Sequence, residues 1–142
     1  MRRATLVLMV VAFGLASVPV SALCERLTLE RQFAESTVVF VGRATAQERE
    51  TATQVVTTFT VEEMWKGAPA TEVRVTTCGE ARVGDTLFVC DPDNFTFRVG
   101  STYFVFGRGE PLRTNRCVPT ALLERASDTL DWLAKKPRTT IR

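Results

Sequence analysis

β-branched and aromatic runs separated by short polar stretches fill the middle of the chain, flanked by one helical pattern at each end. Leu27 to Glu35 predicts a short helix in which Leu27, Phe33 and Ala34 share a side, ended by Ser36 and Thr37. Thr37-Val38-Val39-Phe40-Val41-Gly42-Arg43-Ala44 predicts a buried strand. The polar Gln47-Glu48-Arg49-Glu50-Thr51 then serves as a hairpin connection to a long second strand, Gln54 to Trp65. There Val55, Thr57, Phe59, Val61 and Trp65 are expected on one face, with Thr58, Thr60 and Glu62 on the other. Lys66-Gly67-Ala68-Pro69 is a turn signal, and Thr71 to Thr77 alternates as a third strand.

From Cys78 to Gly100 the pattern is irregular, with only Thr86 to Val89 and Phe95 to Val99 reading as extended. Thr102-Tyr103-Phe104-Val105-Phe106 is apolar throughout, which predicts a central strand. Gly107 to Pro111 turns into an expected edge strand, Leu112 to Arg116. A closing helix is expected to open near Pro119, with Leu122, Leu123, Ala126, Leu130 and Leu133 on its inward face. Lys135-Lys136-Pro137 stops it, and 137–142 is a polar tail. About five strands, a helix at each end and no βαβ rhythm predict a mainly β fold, with the five-stranded Greek-key OB barrel as the leading candidate.

Length and charge narrow the classes. The chain has 142 residues, and residues 1–22 carry the marks of a secretion signal: Arg2 and Arg3, the apolar run Leu6 to Val11, and Val20-Ser21-Ala22 before the cleavage point. Cleavage there leaves 120 residues as one domain over 23–136 plus the tail. It also removes two of the 18 basic residues, so the remaining 16 balance 16 acids. A net charge near zero argues against a nucleic-acid binder or a polybasic membrane module. No later segment is apolar enough to span a bilayer, so an exported protein without membrane attachment is expected, secreted or periplasmic.

Candidate chemistry is sparse. The absence of histidine removes the usual general base and zinc ligand, and no enzyme is expected. Glu62 and Glu63 point to opposite faces of a strand, while Asp128 and Asp131 suit a solvated helix face. Asp91-Pro92-Asp93-Asn94 reads as a polar turn rather than a calcium loop, and Asn94-Phe95-Thr96 is a formal glycosylation sequon. Trp65, Phe40, Phe59, Tyr103, Phe104 and Phe106 are expected in the core rather than as a base-stacking platform. The four cysteines at 24, 78, 90 and 117 lack the close pairs of a zinc site and read as two disulfides, for which three connectivities exist. No metal and no cofactor is expected.

Several blocks occur together in a familiar order: Cys24, Phe33-Ala34-Glu35-Ser36-Thr37-Val38-Val39-Phe40-Val41-Gly42, Phe59-Thr60-Val61-Glu62-Glu63-Met64-Trp65-Lys66-Gly67 and Thr76-Thr77-Cys78-Gly79. Gly100 to Phe106, Leu112 to Cys117 and the closing amphipathic helix continue it. The chain thereby resembles the netrin-module superfamily, and within it the N-terminal domain of the tissue inhibitors of metalloproteinases. The resemblance implies an OB-type barrel whose N-terminal segment is stapled by disulfides. It implies Cys24–Cys117, because Cys24 stands nine residues before Phe33, like the second cysteine of the family's Cys-x-Cys start. Cys78 would lose its family partner, and Cys90 supplies a replacement, with Cys24–Cys78 plus Cys90–Cys117 as the alternative.

In that family the first cysteine's free amine and carbonyl chelate a protease's zinc. Cleavage after Ala22 makes Leu23 the first residue here, which departs from that pattern. The resulting expectation is an exported, disulfide-stapled protein-binding module whose partner is an extracellular or periplasmic protein. Its most specific form is inhibition of a zinc metalloprotease, and its alternative is an envelope or matrix recognition protein without inhibitory activity. Leu23, Cys24, Glu25, Cys78 and Gly79 are the expected partner-binding ridge.

Overall fold

The computed structural model describes residues 24–141. The expected leader over 1–22, Leu23 of the ridge and Arg142 lie outside the described residues.

Helix α1, Leu29–Glu35, starts where the Thr28 hydroxyl accepts a bond from the Arg31 N–H. It ends at Ser36, whose backbone is extended. Lys66 donates from Nζ to the carbonyls of Phe33 and Ala34, both at 2.7 Å, satisfying acceptors that the helix end leaves open. Strands β1 (Val38–Arg49), β2 (Gln54–Lys66) and β3 (Glu72–Cys78) follow. After them come β4 (Ala81–Val83), β5 (Thr86–Phe88), β6 (Thr102–Gly107) and β7 (Ala121–Leu122), then a 3₁₀ turn at Leu123–Arg125 and helix α2, Ser127–Leu133. One antiparallel sheet has the order β3-β2-β1-β6-β7, and β4 with β5 forms a separate hairpin.

Both faces of β1 and β6 are covered, which explains their unbroken apolar sequence. Phe40 and Ala44 of β1 and Tyr103 and Val105 of β6 join Phe59, Val61, Met64, Val75 and Phe97 in one core. Val39, Val41, Phe104 and Phe106 face the other way, with Trp65, Ala126 and Leu133, toward the two helices. All six aromatic residues expected in the core are buried.

Five expectations need correction. Trp65 does not share a face with Phe59. Successive β1 residues Val41 and Gly42 pair with Glu63 and Val61, leaving Glu62 as an extra residue that shifts the alternation. Met64 therefore takes the inner place and Trp65 the outer. The polar stretch 47–49 continues β1, and the turn falls at 50–53.

Leu112 to Arg116 forms no strand, because its backbone groups go to different partners. Thr76 N–H bonds Leu112 O, Arg113 exchanges two bonds with Arg108, Arg116 N–H bonds Asp93 O and Cys117 N–H bonds the Asn115 side chain. Phe95 to Val99 is likewise no strand: the Gln47 side chain takes Phe97 O and the Tyr103 hydroxyl takes Arg98 N–H. The fifth sheet strand is instead Ala121–Leu122, within the stretch expected to be helical. The Thr120 hydroxyl accepts Phe106 N–H at 3.0 Å and ties that segment to β6. Leu122 accordingly packs on the inner core while Ala126 and Leu133 pack on the helical one.

The polar tail runs back along β2. Thr139 N–H bonds Met64 O at 2.7 Å, Arg138 pairs with Glu63 at 3.1 Å, and Ile141 packs against the inner core.

Candidate functional site

Two disulfides are present, Cys24–Cys117 and Cys78–Cys90, with Cα–Cα distances of 5.0 and 5.6 Å. The second closes the base of the β4–β5 hairpin. Its strands pair Ala81 with Phe88, Arg82 with Leu87 and Val83 with Thr86 around a Gly84-Asp85 turn. Gly84 has φ of 59° and Asp85 does not have positive φ, the pattern of a tight turn with glycine first. Further clamps hold the root. Arg49 donates to the carbonyls of Gly79 and Glu80, both at 3.2 Å, and Gly79 N–H bonds Thr53 O.

The hairpin lies outside both core clusters, and every residue from 82 to 89 is exposed. Val83 and Leu87 are each 55% exposed, Val89 is 67% and Phe88 38%. Pairing puts Val83 and Phe88 on one face and Leu87 on the other, so the ribbon is apolar on both sides and covers no core. A free two-stranded hairpin is marginal in water, and this one is held at its root by a covalent bond and an arginine clamp.

Of the expected ridge residues, Cys78 and Gly79 lie at this root. Gly79 is required there, since a side-chain carbon would collide with a Val55 methyl group. Together with Cys90, Arg49 and Asn94 they line a cleft of about 350 Å³. Glu25 lines a different cleft, of about 490 Å³, beside Cys117. The two share no lining residue. A seam joins them: Cys117 N–H bonds Asn115 Oδ1, Asn115 pairs with Asn94 in a β-bridge, and Asn94 clasps Cys78. Its Oδ1 accepts Cys78 N–H and its Nδ2 donates to Cys78 O, each at 3.0 Å. That clasp occupies the amide nitrogen a glycan would take. Asp91-Pro92-Asp93-Asn94 forms a turn, as expected.

The larger cleft lies between α1 and the 108–118 segment. Arg31 Nε is 2.8 Å from Glu35 Oε1, and Arg108 Nη1 is 3.2 Å from Glu35 Oε2. The Arg31 bond holds the Glu35 carboxyl below the usual carboxylate range, and Glu35 in turn raises Arg31. Among the described residues, no cluster of three or more histidine, cysteine or acidic groups could hold a metal, and no helix is long and apolar enough to cross a membrane.

The exposed apolar residues Val83, Leu87, Phe88 and Val89 were legible only as a short extended run; nothing in their pattern separates a buried strand from an uncovered one. Arg108 and Arg113 gave no signal at all, since their proximity depends on a turn. No protein-family model matches the chain, and no curated protein matches it.

Proposed function

We propose that this chain is an exported recognition module that binds another extracellular or periplasmic protein and performs no catalysis of its own. The observation that carries the reading is the tethered hairpin: Val83, Leu87, Phe88 and Val89 exposed together on a ribbon fixed by Cys78–Cys90. Exposed apolar clusters of this kind mark interaction surfaces. Two disulfides in a small domain suit an oxidising compartment.

An OB-type barrel of the netrin-module kind is the proposed scaffold. It is supported by the β3-β2-β1-β6 order, by the parallel bridge between Thr76 and Arg113, and by the antiparallel Arg108–Arg113 bridge that leads from β6 into it. Such contacts bring the free edge of β3 against the segment after β6. The Cys24–Cys117 pairing favours the version without zinc chelation, because it gives Cys24 the place of the family's second cysteine rather than the first.

The test compares the native protein with a variant carrying Val83→Ser, Leu87→Ser, Phe88→Ser and Val89→Ser. Both are immobilised, exposed to exported proteins of the source cells, and assayed against zinc endopeptidases at micromolar concentration. A saturable partner lost with the variant, at unchanged melting temperature, is expected. Identical capture by both proteins overturns the hairpin reading, and protease inhibition by a chain with a free Cys24 amine restores the chelating inhibitor.

A further inference from the structure

The cleft between α1 and the 108–118 segment contains an arrangement that the fold by itself does not favour. Arg108 and Arg113 exchange two backbone hydrogen bonds, both 2.8 Å, as a directly opposed antiparallel pair. Such a pair sets its Cα atoms about 5.5 Å apart and sends both side chains to the same side. Like charges placed this way repel. Both arginines line the cleft, together with Arg31, Gln32, Glu25 and Glu35.

The acids present do not answer the charge. Glu35 is shared: one oxygen meets Arg31 and the other Arg108. Arg108 Nη2 reaches only the neutral Gln32 Oε1, at 3.5 Å. Arg108 Nε is buried and has no acceptor. Arg113 forms no ion pair among the described residues. Three guanidinium groups face two carboxylates in this lining, an excess of one positive charge. A volume of about 490 Å³ leaves room for a small group.

We propose that this cleft is a carboxylate-binding site, built to take one acidic side chain or one chain-terminal carboxylate of a peptide between Arg108 and Arg113. A single monoanion cancels the excess charge, and a planar carboxylate matches the guanidinium fork. A phosphate dianion overshoots the charge and meets Glu25 and Glu35. The site is separate from the hairpin, so its success or failure does not depend on the hairpin reading.

Arginine Nε–H signals of the ¹⁵N-labelled protein report it directly. The full chain is titrated with acetate, with a blocked glutamyl peptide and with inorganic phosphate at constant ionic strength. Arg108 and Arg113 are expected to shift together and saturate with both carboxylates, more tightly than with phosphate. Arg113→Gln is expected to weaken the Arg108 response roughly tenfold, the loss of one charge-assisted contact. Arg113→Lys, which keeps the charge without the fork, falls between, and Arg43→Gln outside the cleft changes nothing. Non-saturating shifts, an unchanged response in Arg113→Gln, or tighter phosphate binding each overturn the proposal.

Discussion

Single residues fix the tightest constraints. Gly42 lies on β1 where a side-chain carbon would come within 2.8 Å of Thr60 O and 3.0 Å of the Phe40 ring. Backbone on one side and a fully buried ring on the other leave nothing free to move. Gly42→Ala is expected to cost about 1–3 kcal/mol in a urea unfolding curve, and an unchanged midpoint would show that β1 can open there. Glu30 is a second such point. Its carboxylate accepts the Trp132 indole N–H at 2.9 Å, and its ionisation is favoured first by a bond from its own backbone and then by Trp132. Because its folded value is lowered, the stabilisation is fully present above the unfolded value and is lost as pH falls through the folded one. The Trp132 indole resonance should therefore titrate with a midpoint below that of an ordinary glutamate, and should not titrate there in Glu30→Gln.

At the scale of elements, the two helices depend on the sheet and on each other. Each is only seven residues long, too short to persist alone. Helix α1 is joined to α2 by the Phe33–Trp132 edge contact at 5.8 Å and to β2 by Lys66. Lys66→Met keeps the stem packing and removes two charge-assisted bonds. A loss of about 1–2 kcal/mol is expected, with amide exchange rising first in 29–36 and little changed in the central sheet. The hairpin is the opposite case, since Leu87→Ser and Val89→Ser alter side chains that touch solvent. Those substitutions should leave the melting temperature within error while changing partner binding, and a clear drop would mean the hairpin packs on the body of the protein after all.

Across the whole molecule, the disulfides act at very different ranges. Cys24–Cys117 joins positions 93 apart and Cys78–Cys90 positions 12 apart. On the chain-entropy account these contribute about 4.7 and about 3 kcal/mol, so Cys24→Ser with Cys117→Ser should lower stability more than Cys78→Ser with Cys90→Ser. Equal losses in denaturant would show that strain or residual structure outweighs loop length. The local pattern sufficed for α1, the middle of β1, and β2, β3 and β6, because each has enough β-branched, aromatic or capping residues to set its state locally. The two cysteine pairings present, Cys24–Cys117 and Cys78–Cys90, are the ones expected ahead of the alternative Cys24–Cys78 with Cys90–Cys117. Where a segment's hydrogen bonds are divided among several separate partners, local pattern misled. Leu112 to Arg116 has strand composition but divides its bonds among β3, Arg108 just beyond β6, and the Asp93 turn, and Ala121–Leu122 has helical spacing but is held on β6 by Thr120. Exposure was equally hidden, since Thr86 to Val89 resembles a buried strand until nothing is found to cover it. What the chain's own pattern determined was the class of fold and the bulk of its core, because burial follows local apolar periodicity. What only the tertiary structure decided was the uncovered hairpin and the opposed arginines, because both depend on which distant segments meet.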